Sequence, residues 1–573
     1  MIPQIYLSNL SNAIDKNIIK LLNYYDLEYK ELRRNDKIVD TSCLFLNCDI
    51  LDVQKFNDSF KEFILSNFSC IFFYNLSLQS SIVIELVAET KVILSKVKAG
   101  DFLYRVSDGD SDICKQLSGF SFTENESKEE SIFKYKDPSI KSLITLNNEP
   151  FFIKLEKSNC EIFAVANNRV VDLEQKVTSE DFKISNIFSE FAPILMFLKY
   201  FSKDRFWHAS DEYACFIIDD PLLKKRFGFL VFKKLLSLMD KYNFCSNIAF
   251  IPYNYNRSDN EVVHMFNERE DRFSISVHGC DHCEAEFGIN DEKELNRKIK
   301  LAQSRMNKHK NLTEIEHNEI MVFPQGSFSS TSLKVLKANN FLSAINSNVI
   351  ANNIHHLTIS SFFSPVIMDY SNFPLFLRRY PEFVSDFALD LFMDRPIFFV
   401  EHHGFFKDDY KRLCKFVSKI NKNFGKIKWR SPQHIIQNYY LERNMIKSKQ
   451  VRIFANQVII RNDSNKEILY RIFKQEDGTI PIEKILINEQ KADYTYKNDL
   501  IYLKAVIQPN EKIEIRILYN NFFGISEKPG LVDDFKLLMR RLLTEVRDNY
   551  LSKNETLSKI ASKAKYFIKK FVA

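Results

Sequence analysis

The chain has 573 residues, of which 45% are hydrophobic and 27% are charged, an ordinary balance for a globular protein of several domains. A formal net charge of +6 is small for this length and argues against a nucleic-acid-binding protein, which needs a dense basic surface. Glycine is scarce, at 12 residues, and the sequence contains neither a glycine-rich phosphate-binding loop nor a dinucleotide fingerprint.

The first 20 residues lack the basic start and apolar core of a signal peptide, and no run approaches the roughly 18–20 apolar residues of a membrane span. The ten cysteines are scattered rather than spaced like those of a secreted disulfide scaffold. These features predict free thiols and a cytoplasmic location.

Residues 1–195 alternate between short apolar runs and helix-like stretches, which predicts an open N-terminal α/β domain whose role the sequence does not reveal. Strands are expected at 43–47, 70–74 and 91–94, and helices at 53–66 and 81–87. The polar stretch 119–139 is expected to be a loop or insertion.

Residues 205–445 repeat a strand–helix unit, which predicts parallel strands with right-handed crossovers in a barrel or a doubly wound sheet. The expected strands are 214–219, 247–251, 273–278, 320–324, 343–346 and 396–401, and the expected helices are 229–242, 292–308 and 330–339.

The sequence pattern changes near residue 448. Short runs in which apolar and polar residues alternate, separated by turns, predict a small β-sandwich over 448–520. Residues 525–573 are expected to form a helical tail that ends in a basic amphipathic helix at 557–572. This helix either lies on an anionic membrane surface, at the inner face of the membrane, or docks on its own protein with its lysines in solvent.

Acidic and imidazole side chains follow two of the strands expected in the 205–445 region. Asp219 and Asp220 end one apolar run, and His278 and His282 follow a later one. Because chemistry in parallel β/α folds is built at the carboxyl ends of strands, these side chains are expected to meet. One carboxylate and two imidazoles can hold a hydrolytic zinc and leave a position free for water. In a helical turn, the two histidines would project from one face at i, i+4 spacing.

This order of motifs resembles the polysaccharide deacetylase (NodB-homology, carbohydrate esterase) family. Its elements are Asp219-Asp220, His278-x-x-x-His282, Phe323-Pro-Gln-Gly326 and a late apolar strand that ends in His402. The resemblance covers about residues 205–445 and implies a distorted (β/α) barrel that removes acetyl groups from a sugar with the help of a divalent metal, expected to be zinc.

The resemblance also implies a role for each matching residue. Asp219 would be the general base and His402 the general acid, while Asp220, His278 and His282 would bind the metal. The residues expected along the substrate groove are Pro324, Gly326, Arg378, Arg379 and His403.

The sequence departs from the family pattern at two positions near the expected site. Val322 stands where the family often has an arginine that orients the base, and Pro221 replaces a glycine common after the Asp pair. Arg378 or Arg379 could orient Asp219 from another strand end; the alternative is that both face solvent. Along one strand only His402 or His403 can face the groove, and His402 fits the family pattern.

Other interpretations of the same residues remain open. Cys280 and Cys283 form a Cys-x-x-Cys motif that could bind zinc or exchange disulfides, and Asp281 is expected to be a loop residue that supports the site. The barrel could instead belong to a glycoside hydrolase, which would need two carboxylates across a glycosidic bond, or to a non-catalytic glycan-binding or assembly protein. For a cytoplasmic deacetylase, the expected substrate is an acetylated sugar intermediate of surface-glycan metabolism.

Overall fold

The computed structural model describes residues 4–8, 13–33, 36–39, 41–48, 57–126, 129–526 and 539–540. Three units follow one another along the chain: a mixed α/β unit, a parallel β/α unit and a C-terminal pair of sheets. The predicted helical tail, including 557–572, lies outside the described residues apart from 525–526 and 539–540. No helix within the described ranges has both the length and the apolar character needed to cross a bilayer.

The N-terminal unit is built around a nine-stranded sheet in the order β2-β1-β3-β4-β11-β10-β9-β6-β7. The strands are β1 Ile5–Leu7, β2 Tyr29–Glu31, β3 Cys43–Asn47, β4 Cys70–Tyr74, β5 Val92–Val97, β6 Gly100–Val106, β7 Ser121–Glu126, β8 Glu130–Tyr135, β9 Lys141–Leu146, β10 Glu149–Lys157 and β11 Cys160–Val165. The helices are α1 Ala13–Tyr24, α2 Asp58–Asn67, α3 Ile82–Ala88, α4 Ser111–Cys114 and α5 Phe188–Ser202.

The predicted loop at 119–139 is wrong, because this stretch contributes β7 and β8. Phe122 and Ile132 are buried despite the polar sequence around them. Glu124 is buried as well, because its carboxylate accepts hydrogen bonds from the backbone N–H and the hydroxyl of Ser189. A buried carboxylate with partners fits into a strand, which composition alone does not reveal.

The middle unit carries the elements that position the candidate site. Its strands are β12 Lys176–Val177, β13 His208–Ala209, β14 Tyr213–Asp219, β15 Arg226–Phe227, β16 Leu230–Val231, β17 Ser246–Phe250, β18 Phe273–His278, β19 His317–Val322, β20 Ser343–Asn346, β21 Leu357–Thr358, β22 Leu375–Leu377, β23 Ile397–His402 and β24 Lys428–Trp429. Its helices are α6 Phe232–Tyr242, α7 Asn260–Glu268, α8 Glu292–Thr313, α9 Ser330–Ala338, α10 Ile359–Phe363, α11 Val384–Phe392, α12 Lys411–Asn423 and α13 Pro432–Gln437.

A curled parallel sheet forms the centre of this unit, in the order β22-β20-β19-β18-β17-β14-β23, and the short β24 also pairs with β14. All seven residues of β14 are buried, as expected for a parallel strand covered on both faces. The two edges of the sheet meet where the Arg379 N–H donates to the Phe398 carbonyl at 2.9 Å and the Val400 N–H donates to the Arg379 carbonyl at 3.0 Å. The predicted barrel is therefore present as a curled parallel β/α sheet.

The C-terminal unit has two sheets whose buried faces belong to one hydrophobic cluster. Its strands are β25 Tyr440–Asn444, β26 Lys449–Ile453, β27 Gln457–Arg461, β28 Ile468–Gln475, β29 Ile482–Ile487, β30 Gln490–Lys491, β31 Thr495–Lys497, β32 Leu500–Ile507 and β33 Lys512–Tyr519. β25 lies in the range assigned to the barrel, yet it pairs with β26 and with β13, so the sheet starts earlier than the sequence suggested.

Helix α5 joins the first two units because both of its faces are covered. The Phe197 ring packs against Phe45 and Phe72 of the N-terminal sheet. On the other side, the Lys199 ammonium donates to the Phe392 carbonyl at 2.6 Å and pairs with Asp394 at 2.5 Å. The N-terminal unit is thus fixed to the β/α unit through a buried helix.

Candidate metal and catalytic site

The candidate residues end parallel strands, and all of them reach the same edge of the curled sheet. Asp219 is the last residue of β14, His278 of β18 and His402 of β23, while Arg378 directly follows β22. Since parallel strands place their carboxyl ends together, residues up to 183 positions apart in sequence become neighbours here.

Asp220, His278 and His282 converge on one point. The Asp220 Oδ1 atom lies 3.3 Å from His278 Nε2 and 3.0 Å from His282 Nε2. Ligand atoms of these three side chains all lie within 4.8 Å of one another, and they are the one such group found among the described residues. The structure therefore brings together the three residues predicted as metal ligands.

The histidines do not converge by way of a helical turn, and that part of the sequence prediction is wrong. His278 still belongs to a strand, and the chain then turns through Gly279 at φ 66° and His282 at φ 57°. Left-handed residues reverse the chain over a few positions and bring the second imidazole back beside the first. Asp220 is also left-handed, at φ 78°, in the segment where Pro221 replaces the family glycine.

The donor set fits a divalent cation such as zinc. Asp220 Oδ1 is buried and, although two imidazole nitrogens lie close to it, it has no hydrogen bond of acceptable geometry. A carboxylate oxygen that lies close to two imidazole nitrogens without a hydrogen bond to either is expected where the three atoms bind the same cation. Tetrahedral zinc with ligand bonds of about 2.1 Å separates its donors by roughly 3.4 Å, close to the distances found here.

The tautomer of His278 is fixed from outside the ligand set. His278 Nδ1 lies 2.8 Å from the carbonyl oxygen of Val322, which can only accept, so Nδ1 carries the proton and Nε2 is left with a lone pair. Burial lowers the pKa of His278, but the negative charges of Asp219 and Asp220 outweigh it and raise the pKa overall. The same charges would attract a cation.

A buried carboxylate that the sequence analysis missed, that of Glu286, holds the loop between the histidines. It accepts hydrogen bonds from the backbone N–H groups of Cys280, Asp281 and His282 at 2.9, 3.1 and 3.1 Å. No spacing rule identifies such a residue, because its partners are backbone groups.

Gly279, the first residue of this loop, packs against the Pro-x-Gly element. A Cβ atom on Gly279 would lie 2.0 Å from Glu286 Oε1 and 2.5 Å from Pro324 Cγ, so only glycine fits. Pro324 is buried, and the Gly326 carbonyl accepts a hydrogen bond from Asn346 at 2.8 Å. Of the two predicted groove residues, Pro324 thus packs against the loop at Gly279, and Gly326 is held by Asn346 of β20.

Arg378 contacts the predicted base. Its Nη1 donates to Asp219 Oδ1 at 2.7 Å, and both side chains are only 4% exposed. Burial raises the pKa of Asp219, but the charge of Arg378, together with His278 and His402, lowers it overall, so the carboxylate is ionised at neutral pH. Arg379, also largely buried, pairs with Asp390 at 2.6 Å instead. The alternative in which both arginines face solvent is therefore wrong.

Of the two adjacent histidines, His402 lies beside the ligand set. It pairs in register with Asp219 across β14 and β23, its side chain is 47% exposed, and its Nε2 lies 4.0 Å from Asp220 Oδ2. The His403 ring instead packs edge-on against Phe227, at 5.4 Å between ring centroids. The structure thus places the His403 ring against the β15–β16 hairpin, and its part in a substrate groove stays a prediction.

Neither Cys280, between the two histidines, nor Cys283, directly after His282, belongs to the group of converging ligand atoms. Cys280 is buried, and burial raises the pKa of its thiol well above the usual value, which disfavours the thiolate that binds metal. Asp281 pairs with Arg305 at 2.5 Å, as suits a loop residue that supports the site. The geometry does not favour the Cys-x-x-Cys interpretation.

Neither a protein-family model nor a curated protein matches the chain. Similar solved structures include the carbohydrate deacetylase Agd3, at 7% identity and a TM-score of 0.46 over 90% of this chain and 98% of that one. A family 4 carbohydrate esterase from Streptomyces lividans matches 39% of this chain and 92% of its own length, at 10% identity and a TM-score of 0.24. A family 4 pseudoenzyme from Bacillus anthracis matches 38% of this chain and 63% of its own length, at 10% identity and a TM-score of 0.25.

Proposed function

We propose that the protein is a metal-dependent hydrolase that removes N- or O-acetyl groups from a sugar. The observation that carries this proposal is the convergence of Asp220, His278 and His282 directly beside the Asp219–Arg378 pair, at one edge of the sheet. A hydrolase of this kind needs a cation site and a separate ionised carboxylate. The two adjacent aspartates supply one of each.

The reaction breaks the bond between the acetyl carbon and the sugar nitrogen or oxygen, and water supplies the new oxygen of acetate. Asp220, His278 and His282 would hold the cation, which lowers the pKa of water to roughly 7. Asp219, ionised beside Arg378, accepts the proton that water releases. His402 donates a proton to the departing nitrogen or oxygen, and its half-exposed position leaves room for the sugar.

Metal content and acetate release together test these assignments. We expect Asp219→Asn to keep the metal and to lose activity at least about 100-fold, because the general base is gone. Asp220→Ala and His278→Ala should lose both metal and activity. Elemental analysis of the purified proteins and an acetate assay on N-acetylated and O-acetylated sugars measure the two properties. Retention of a full equivalent of metal by both ligand variants would contradict the proposal.

Two alternatives lose support from the same geometry. The non-catalytic interpretation was supported by the missing family arginine at Val322 and by the unusual flanking domains, and the first support is weakened because Arg378 contacts the base instead. A glycoside hydrolase needs two carboxylates across a glycosidic bond, whereas Asp220 faces two imidazoles and Asp219 faces a guanidinium.

The proposal includes a cellular setting that depends on the sequence alone. It places the enzyme in the cytoplasm, with zinc as its ion and an acetylated intermediate of surface-glycan metabolism as its substrate. Contact with an anionic membrane through residues 557–572 stays a prediction, because that segment lies outside the described residues.

A further inference from the structure

A pocket lies beside the candidate site, between residues 179–184, which follow the N-terminal sheet, and the carboxyl edge of the β/α unit. Its volume is about 280 Å³, and Arg378 and Tyr380 form part of its wall. Arg378 also donates to Asp219, so the pocket and the catalytic carboxylate share one side chain. The pocket and Asp219 therefore lie next to the same buried guanidinium.

The size of the pocket limits what it can hold. Pockets for drug-sized ligands begin at roughly 300 Å³, so a space of about 280 Å³ suits one sugar ring rather than a length of polymer. Tyr380 offers the aromatic surface that a sugar ring uses, because 46% of this residue is exposed beside the pocket. A tyrosine combines an apolar ring with a hydrogen-bonding hydroxyl and thus suits a ligand with both kinds of surface.

The charges around the pocket have a net negative sign. Four cationic side chains line it: Lys183, Arg378, Arg379 and Arg395. The four carboxylates of the lining are Glu180, Asp181, Glu382 and Asp386. Two further carboxylates, those of Asp219 and Asp390, contact the arginines directly.

The position of these charges matters more than their number. Arg378 and Arg395 are buried, Arg379 is largely buried, and all three are already paired with carboxylates, while Lys183 lies 3.6 Å from Asp386. Glu180, Asp181 and Glu382 are exposed at the rim, where an approaching ligand meets them first. A rim of this sign repels an acidic sugar and attracts a protonated amine.

We propose that this pocket binds the sugar unit next to the one that loses its acetyl group, and that its acidic rim selects an amino sugar with a free amine there. The inference rests on the proposed function and deepens it. Because deacetylation itself produces free amines, each turnover would create the neighbour that the pocket prefers. The enzyme would then favour partly deacetylated chains, and residues 179–184 give the N-terminal unit a part in substrate binding.

The test uses N-acetylglucosamine and N-acetylgalactosamine as monomers and as tetramers, the tetramers both fully acetylated and with a single acetyl group left. We expect Tyr380→Ala to raise KM for the tetramers about five- to tenfold more than for the monomers, because an aromatic contact is worth roughly 1 kcal/mol. Tyr380→Phe keeps the ring and should stay within about twofold of the wild type. Tyr502→Ala, which removes an exposed tyrosine of the C-terminal unit, is the control and should change neither KM.

A separate variant tests the role of the acidic rim. The triple change Glu180→Gln, Asp181→Asn and Glu382→Gln should remove the preference of the wild type for the singly acetylated tetramer over the fully acetylated one. Circular dichroism shows whether each variant is folded. Equal effects of Tyr380→Ala on monomers and tetramers, or a wild type without preference for free amines, would overturn the inference while deacetylation persists. Absence of acetate release from every substrate would instead contradict the proposed function.

Discussion

Asp219 and Asp220 are neighbours in sequence but have opposite surroundings. The Asp219 carboxylate meets a guanidinium, whereas the Asp220 carboxylate meets two imidazoles. The left-handed backbone at Asp220 interrupts the alternation of a regular strand, which would place the two side chains on opposite faces. The Asp220 carboxylate is thereby available for a cation, and the Asp219 carboxylate is available for a proton.

Arg378 positions the Asp219 carboxylate through a direct hydrogen bond. Arg378→Gln should lower kcat about 10- to 100-fold, leave KM for the monomeric substrates within about twofold and leave the metal bound, because these substrates do not reach the neighbouring pocket and the loss falls on the base. Arg378→Lys, which keeps the charge, should recover part of kcat. Steady-state kinetics and elemental analysis measure these effects.

The control for this change is Arg516→Gln, at a half-exposed arginine of β33 that pairs with Glu514 and Glu489. It should leave kcat unchanged. A KM effect larger than the kcat effect for Arg378→Gln would show that the arginine binds substrate rather than positions Asp219.

Among the site residues, the sequence could predict those that sit at strand ends with a characteristic spacing. Asp219, Asp220, His278 and His282 all belong to this class, and the structure brings them together. The contact of Arg378 could be predicted only as one of two options, because it follows β22, a three-residue strand after Pro374 with no clear periodicity. No sequence pattern identifies Glu286, because its partners are backbone N–H groups, which do not depend on residue type.

At the scale of elements, the loop from Gly279 to His282 decides whether the ligand set can form. Gly279→Ala should weaken zinc binding about 10- to 100-fold, because the added methyl group displaces Glu286 or Pro324 and the loop that Glu286 holds. Competition with a zinc indicator measures the affinity. Gly404→Ala is the matched control, since a Cβ atom there meets nothing within 4 Å. An unchanged zinc affinity in Gly279→Ala would show that the loop adapts.

The strands of the β/α unit could be predicted because they are continuous apolar runs, and β18 and β20 have the predicted bounds. The strands β7 and β8 could not, because their buried faces include polar groups such as Glu124 and Glu130. A glutamate in the sequence predicts a loop unless a partner for its carboxylate is known. The partner of Glu124 is Ser189, 65 residues away in the sequence.

Helix α8 contains a histidine that should make stability depend on pH. His309 is fully buried, and its Nε2 lies 3.0 Å from the Ser258 hydroxyl. Burial, together with the nearby His317, lowers the pKa of His309 from 6.5 to about 4. Between these values the unfolded chain binds a proton that the folded chain does not, so the free energy of unfolding falls as the pH drops from 6.5 to 4.

The shift corresponds to a loss of about 3 kcal/mol over that range. Hydrogen exchange of the α8 amides should show a lower free energy of unfolding at pH 5 than at pH 7. His309→Gln should reduce this difference between the two pH values. His264→Gln, at a histidine whose side chain is 73% exposed, is the control and should keep the pH dependence of the wild type. Identical pH profiles of the wild type and His309→Gln would contradict the assignment.

At the scale of the whole molecule, a buried ionic cluster joins the β/α unit to the C-terminal unit. Glu476 is fully buried; it contacts Lys337 of α9, pairs with Lys474 at 3.3 Å and accepts a hydrogen bond from the Tyr519 hydroxyl at 2.7 Å. The three units could be anticipated from changes in sequence rhythm. Their mutual contacts could not, because Lys337 and Glu476 are 139 residues apart and each alone resembles a surface residue.

Glu476→Gln should be strongly destabilising, because it removes the buried counter-charge of two ammonium groups and leaves them only the part-exposed Asp477, 3.8 Å from Lys337. A loss of about 3–5 kcal/mol is typical when one partner of a buried ion pair is removed. The midpoint of urea unfolding at pH 7 measures the effect, and Glu483→Gln, at a half-exposed glutamate of β29, is the control. Replacing the cluster as a whole, with Lys337→Met, Glu476→Leu and Lys474→Met together, should restore most of the stability.

The pH distinguishes the loss of charge pairing from a simple packing defect. Burial, together with the charge of Lys337, lowers the pKa of Lys474 to about 8, although Glu476 opposes the shift. Above this pH the folded chain releases a proton that the unfolded chain keeps up to about 10.5, so stability rises with pH in this window. The penalty of Glu476→Gln should therefore be smaller at pH 9 than at pH 7. A penalty that is the same at both values would mean that Glu476 stabilises the junction by packing rather than by its charge.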